Sequence, residues 1–357
     1  MEIKHILVVR FRQMGDAILA TPLLNTLHQN FPDAEIDFVL NERIAPLFEG
    51  HPSISRVITF SEDERHHLLA YLKKVWRIVH QTRYDVIIDM RSTVNTMLFA
   101  FFSLSSLWRI GIYKPYTRFV FNHRFEGCQP DESMIDHNLR LAEPLRGQRM
   151  GAWSKNKSLT LSITEQEKQD FRKYMQEQGI DFSRPVFLVG VTAKQQDKTW
   201  PESRMTETLQ WLTETWPQLQ LIFNFAPGRE AENARRIYDS LQLPPSCSSS
   251  IFLNIAAKTP RQLAAMAANC TAYFGNEGGA RHIVHAMGRP SLVVCSPGAS
   301  KKTWLPEDDN VLTRGIAASD IDAASDTLSR EEQYNLITVE RVQEELNAFC
   351  TQILKEA

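Results

Sequence analysis

The sequence predicts an α/β protein built from two similar halves, each a parallel sheet with helices on both faces. Three observations carry this. Short β-branched runs alternate with helical segments through the whole chain, the pattern of βαβ units. The alternation restarts after a polar stretch, GQRMGAWSKNKS. At 357 residues the chain is too long for one small core and fits two ordinary domains.

In the first half HILVV is a buried strand, and a helix follows from Asp16 to Phe31. Then come the strand EIDFVL, a short helix over Ile44–Phe48 and the strand RVITF. An amphipathic helix, Glu64–Gln81, leads to the strand DVIIDM. MLFAFFSLSSLW, Met97–Trp108, reads as a core or interfacial helix. It is shorter than the roughly 18 apolar residues of a membrane span. In the second half a charged helix, Thr164–Gln178, precedes the strand VFLVGV and a helix over Pro201–Thr215, with Pro201 near its first turn. LQLIFNF is a strand, Arg229–Leu241 a helix, SIFLNI a strand and Thr259–Asn269 a helix. TAYFG and SLVVC are strands flanking the stretch GNEGGARHIVHAMGRP. The expected domains are 1–165 and 166–337. A last helix within 338–357 is free to cross back to the first domain.

Composition narrows the function. A net charge of −2 argues against a general nucleic-acid binder. Cys128, Cys247, Cys270, Cys295 and Cys350 are odd in number and lack CxxC spacing, so free thiols in a reducing compartment are expected, and no metal site. The N-terminal apolar run ends at Val9 and meets Arg10 and Arg12, which suits a strand and not a secretory leader. A cytoplasmic protein is expected, and contact with a membrane surface is compatible with this reading.

Ligands of open parallel sheets bind outside the carboxyl ends of the strands. After the first strand come Arg10, Arg12, Gly15 and Asp16. Gly15 would allow a tight turn, and Asp16 reads either as a helix cap or as a general base beside cations that suit an anionic substrate. After DVIIDM come Asp89, Arg91, Ser92 and Thr93. WRIGIYKPYTRFVFNHR carries Arg109, Lys114, Arg118 and Arg124 with no acid, interleaved with Tyr113, Tyr116 and Phe119. It is either a solvated basic loop or a docking surface for phosphorylated substrate or anionic headgroups.

The second half repeats this logic. Thr192, Lys194 and Lys198 precede a helix, and hydroxyl, ammonium and helix dipole together suit a diphosphate. The glycine spacing of a Walker loop is absent. Glu230 stands at a helix start, where it either offsets the dipole or holds ribose hydroxyls. Gly278 and Gly279, at a strand-to-helix junction, leave room for phosphate against backbone N–H groups, and Glu277 reaches a sugar hydroxyl.

RFRQMGDAILATPLL, KQQDKTWP and GNEGGARHIVHAMGRPSLVVCSPGA, in this order and spacing, resemble the signatures of glycosyltransferase family 9, the ADP-heptose:lipopolysaccharide heptosyltransferases. The resemblance implies a GT-B fold, two Rossmann-like domains facing a central cleft. It implies an inverting, metal-independent transfer of heptose from ADP-heptose to the inner core of lipopolysaccharide, with the nucleotide-sugar as co-substrate and no cofactor. Asp16 matches the family's general base, and Thr192 and Lys198 match donor-phosphate contacts. Glu230 matches a ribose-binding glutamate, Lys258 and Thr259 fall at the adenine pocket, and His282 matches the histidine of the last block. Arg10, Arg12, Gly15, Arg91, Arg109, Lys114 and Arg118 would serve a phosphorylated core or lipid-linked glycan acceptor. The family block has Asp where this chain has Glu277, which bears on the donor sugar. A different nucleotide-sugar or acceptor is the near alternative. A non-catalytic nucleotide-sugar-binding protein is the distant one, and a nicotinamide oxidoreductase lacks its G-x-G-x-x-G.

Overall fold

Strands buried on both faces need helices on both sides, and the chain supplies them in alternation. The computed structural model describes residues 2–130, 132–149, 151–243, 250–305 and 310–355. The chain divides into two compact units, Met1–Ile163 and Thr164–Ala357.

The first unit contains β1 (His5–Val9), α1 (Met14–Ile18), α2 (Thr21–Asn30), β2 (Glu35–Asn41), β3 (Arg56–Phe60), α3 (Glu62–His66) and α4 (Leu68–Gln81). It continues with β4 (Val86–Asp89), α5 (Leu98–Phe101), β5 (Trp108–Ile112), β6 (His123–Phe125) and α6 (Met134–Arg140). Its six parallel strands run in the order β3-β2-β1-β4-β5-β6. Leu7, Val9, Ile87, Phe60 and Phe99 pack one face of this sheet.

The second unit contains α7 (Glu165–Glu177), β7 (Val186–Gly190), α8 (Glu202–Thr215), β8 (Gln220–Phe223), α9 (Arg229–Ser240), β9 (Ile251–Phe252) and α10 (Pro260–Asn269). After these come β10 (Ala272–Asn276), α11 (Gly279–Ala286), β11 (Ser291–Val294), α12 (Lys301–Trp304), β12 (Thr313–Ile316), α13 (Arg330–Leu336) and α14 (Val339–Lys355). Its sheet runs β12-β11-β10-β7-β8-β9. Read from the other edge, that is the first unit's order again, the doubly wound arrangement of a Rossmann sheet.

In the first unit four stretches differ from the expectation. The helix over 16–31 is two helices. Pro22 has no N–H to continue the first, and the Thr21 hydroxyl donates to the Ile18 carbonyl at 2.8 Å, closing the break. The helix over 64–81 begins earlier and breaks at His67, because the Ser61 hydroxyl accepts from Glu64 N and starts a separate turn. Helix within 97–108 shrinks to α5, and Trp108 opens a strand: Ser103 and Ser106 spend their hydroxyls on each other and on the Tyr84 carbonyl. The basic stretch after it contributes β5 and β6, strands whose charged residues hid them.

The C-terminal helix stays with the second unit. Val342, Leu346, Phe349 and Ile353 repeat at helical spacing and enter one core with Phe187, Phe274 and Leu292, so an apolar stripe fixes α14 on its own unit's sheet. Cys128, Cys270, Cys295 and Cys350 are free thiols, the last three pushed up to about 12 by burial, while Cys247 lies outside the described residues. No described helix is long and apolar enough to cross a membrane.

Candidate active site

Each sheet reverses its strand order once, next to its first strand. In the first unit the chain winds outward from β1 through β2 and β3, then returns to place β4 on the other side of β1. In the second unit β7 and β10 meet in the same way. Loops diverge at such a switch point and leave a crevice at the carboxyl edge. The sequence motifs fall at these two junctions.

At the β1/β4 junction the chain leaves β1 through Arg10 and turns at Arg12, whose φ of 51° is left-handed. Gly15, expected at the turn, lies instead within α1. Asp16 is the third residue of that helix. Its Oδ2 accepts from the Gln13 N–H at 3.1 Å, and its Oδ1 pairs with Arg10 Nη2 at 3.1 Å. One oxygen closes the helix start, as the cap reading expects, and the side chain stays 26% exposed.

Arg10 is buried. Besides Asp16 it donates from Nη1 to the Met90 carbonyl at 3.1 Å. Burial pulls its guanidinium below the ordinary value, and Asp16 most strongly opposes that shift. Arg10 thus serves Asp16 and the backbone of the neighbouring strand end. Asp89, at the end of β4, accepts from the N–H groups of Arg91 and Ser92 at 3.0 and 2.8 Å, and burial pushes its carboxyl up to about 6. Arg91 Nη1 donates to the Phe11 carbonyl at 3.2 Å, and Lys114 Nζ to the Arg91 carbonyl at 3.1 Å. Arg10, Asp16, Asp89, Arg91 and Lys114 form one connected charged cluster.

Arg109 and Arg118 belong to a different surface. Arg109 donates to the carbonyls of Leu104, Ser106 and Val120, so its guanidinium braces loops where an acceptor contact had been expected. The Arg118 guanidinium lies 4.3 Å from the centre of the Phe119 ring.

The β7/β10 junction is built on close backbone approach. Gly275 has φ 133°, and a Cβ there would collide with the backbone of Gly190, so β10 can pass this near β7 only with glycine. Asn276 locks the junction: its Nδ2 donates to the Gly190 carbonyl at 2.9 Å and its Oδ1 accepts from Trp200 N at 2.7 Å. Trp200 is fully buried and donates from its indole to the Ile337 carbonyl at 3.2 Å. The Thr192–Trp200 loop is thereby held against β10. Thr192 is buried and its hydroxyl has no hydrogen-bond partner among the described residues, Lys198 is half-buried and Lys194 is exposed.

Beyond Asn276, Gly278 is extended with open space where a Cβ would sit, and α11 starts at Gly279. Glu277 accepts from the Ser296 hydroxyl at 3.0 Å, which turns its carboxylate toward the end of β11. His282 is buried and held well below its ordinary range, first by burial and then by Arg281 and His285, so its ring is neutral at pH 7. Its Nδ1 has no hydrogen-bond partner among the described residues. Arg281, fully buried and pushed down to about 10 by desolvation, donates to the Trp304 carbonyl.

Two expected donor residues are engaged in local hydrogen bonds at helix starts. Glu230 accepts from the Ala226 N–H at 3.1 Å, and the Thr259 hydroxyl accepts from Gln262 N at 3.1 Å at the start of α10. Lys258 beside it is exposed. Asn276, Arg281 and Ser296 were not expected. Asn276 lies inside the quoted glycine-rich stretch, but only the fold shows what it joins. One trio, Cys128, Glu132 and His137, brings ligand-type atoms within 4.8 Å of one another. Arg140 already lies 2.8 Å from Glu132 and 3.1 Å from His137 Nδ1, so a guanidinium takes the place of a cation's charge.

The family model for glycosyltransferase family 9 (heptosyltransferase) matches residues 72–318, more than half of the chain. The chain belongs to glycosyltransferase family 9. It is a glycosyltransferase. It is 22% identical over 311 residues to lipopolysaccharide heptosyltransferase 3 of Escherichia coli K12, covering 84% of this chain and 85% of that protein. Among solved structures it is similar to the family 9 glycosyl transferase of Veillonella parvula, with TM-score 0.80, 17% identity and coverage of 100% and 99% of the two chains. It is also similar to the ADP-heptose lipopolysaccharide heptosyltransferase II of E. coli, with TM-score 0.74, 21% identity and coverage of 99% and 100%. Two Rossmann-like units of this topology make up the GT-B fold of this family 9 enzyme.

Proposed function

We propose that this enzyme transfers heptose from ADP-heptose to the inner core of lipopolysaccharide, with inversion at the anomeric carbon and without a metal or a cofactor. The observation that carries the reading is the partly exposed Asp16 carboxylate, held by buried Arg10 at the first switch point of a family 9 chain. The names of the relatives, lipopolysaccharide and ADP-heptose heptosyltransferases, support the choice of donor and acceptor.

Asp16 takes the proton of the acceptor hydroxyl as its oxygen bonds to the anomeric carbon. The bond from that carbon to the donor phosphate breaks, and its electron pair leaves with ADP. Ion pairing to Arg10 fixes one carboxylate oxygen and with it the orientation of the group. In the second unit the Thr192 hydroxyl, Lys194, Lys198 and the N–H groups at the start of α11 neutralise the diphosphate as it leaves, work a metal does in other transferases. The open space at Gly278 admits a phosphate, and the unpartnered Nδ1 of neutral His282 supplies a polar contact for the donor. Glu277 holds a sugar hydroxyl. Its longer side chain leaves another nucleotide-sugar as the second reading, with Glu230, Lys258 and Thr259 beside the nucleoside. Arg12, Gly15, Arg91 and Lys114 line the acceptor side.

The test is incubation with ADP-heptose and truncated lipopolysaccharide acceptors, in the presence of EDTA, with the product mass measured. A gain of one heptose is expected. No gain with any acceptor, together with a larger thermal shift by a different nucleotide-sugar, would overturn the reading.

A further inference from the structure

The first unit carries apolar side chains that its core leaves uncovered. Phe101, Leu104, Leu107, Tyr113, Tyr116 and Phe119 are exposed, Leu104 by 58% and Phe119 by 79%. All lie between α5 and the turn after β5. Phe99, Ala100, Ser103 and Ser106 of the same stretch are buried, so its orientation is fixed by packing and the exposed face is not a frayed end.

Hydrogen bonds join these residues into one surface. Arg109 donates from Nη1 to the Leu104 carbonyl at 2.8 Å and from Nε to the Val120 carbonyl at 2.9 Å, so the Leu104 and Phe119 loops adjoin. Asn122 donates to the Leu107 carbonyl at 2.7 Å. Arg124 donates to the Arg118 carbonyl at 3.1 Å and stands 6.0 Å from the Tyr113 ring. The charge is of one sign: Arg109, Arg118 and Arg124 belong to this surface, and residues 90–125 contain no Asp or Glu.

Single exposed apolar residues are ordinary, but a connected patch rimmed by one charge marks an interaction surface. A second copy is a poor occupant, because a two-fold contact would set this basic rim against itself. An anionic bilayer complements both features. Aromatic rings settle at the headgroup level, and Arg and Lys meet lipid phosphates. With no described helix able to span, the contact is one of lying on the surface.

We propose that this face docks the protein on an anionic bilayer, with Phe119, Leu104 and Leu107 entering the headgroup–acyl boundary and Arg118 and Arg124 meeting headgroup phosphates. It adds a partner to the transfer reading but stands on the patch alone.

The test is co-sedimentation of the full chain with phosphatidylglycerol-containing vesicles and with pure phosphatidylcholine vesicles, with no nucleotide or acceptor present. A failure here leaves the transfer reading untouched, and the reverse also holds. Preferential binding to the anionic vesicles, weakening with salt, is expected. Arg118→Glu with Arg124→Glu lowers that affinity by at least about tenfold, and Leu104→Ser with Phe119→Ser by about tenfold or more. Ile321→Ser, an exposed apolar change in the second unit, leaves it unchanged. Each variant's melting curve checks its fold, and the charge reversal at exposed Arg118 alone serves if the others misfold. Equal binding to both vesicle types, variants that bind like the parent, or a patch variant that only splits a dimer in sedimentation equilibrium would each overturn the proposal.

Discussion

The β1/β4 and β7/β10 junctions are topologically the same place, yet they are made of different materials. The first is a network of charged side chains, in which Arg10 holds Asp16 and Asp89 is kept by two backbone N–H groups. The second is built on close backbone approach: Gly275 against Gly190, the Asn276 amide, a neutral His282 and the start of α11, with Glu277, Arg281 and the two lysines of the Thr192–Trp200 loop around them. The difference teaches that the sheet supplies a place and the loops supply the chemistry. Moving a proton needs an ionisable side chain held in a fixed position. Receiving a diphosphate needs donors close together and room at the backbone.

The comparison breaks most sharply at Asp16. Asp16→Asn keeps the size and the contact to Gln13 but cannot take a proton. We expect kcat to fall by about 10³-fold, within the range for a lost general base, while ADP affinity changes less than about twofold. Near-normal turnover would show that the charged junction is not the catalytic one.

Gly275→Ala tests the backbone junction. A methyl group there meets the Gly190 backbone at a φ that alanine resists, so a loss of about 3 kcal/mol is expected in urea unfolding. Retained stability would mean that the close approach relaxes at little cost.

Asp89 sharpens the contrast through pH. Its folded value of about 6 lies above the ordinary 3.8, so the fold binds this proton more tightly than the unfolded chain does. The charged form therefore weakens the fold: the cost is absent below about pH 4, grows as pH rises and is complete above about 6. Relative to Asp89→Asn, the parent should lose about 2–3 kcal/mol between pH 4 and pH 6.5, read from unfolding at both pH values. A difference that does not vary with pH would remove the burial argument.

Thr192→Val, at the second junction, is the smallest expected effect. It removes one unpartnered hydroxyl from a buried site, and KM for the donor should rise about fivefold with kcat within twofold. An unchanged KM would mean that the hydroxyl does not meet the donor.

The double α/β pattern was legible in the sequence because burial on both faces writes near-continuous apolar runs, as in VFLVGV and DVIIDM. The strands β5, β6 and β12, at or next to a sheet edge, were not, because half-exposed strands tolerate Arg109, His123 and Arg314. Asp16 was legible by its place after the first strand. That Arg10 serves Asp16 was not, because the pairing depends on the turn at Arg12 and on the Met90 carbonyl, which lies 80 residues away in the chain. Glu230 stood where a ribose contact or an offset to the helix dipole was equally compatible with the sequence, and the structure places it, like Thr259, on a backbone N–H.

By itself the sequence determined the order of the elements, the two halves and the motifs at their strand ends. These depend on hydrophobic period and on turn residues, both local properties. Only the tertiary structure decided that α14 stays with its own unit, that Arg109 braces loops, and that Asn276 ties two strands and a loop together. Each of these rests on partners distant in the chain, and their meeting is a property of the packed sheet that no single segment encodes.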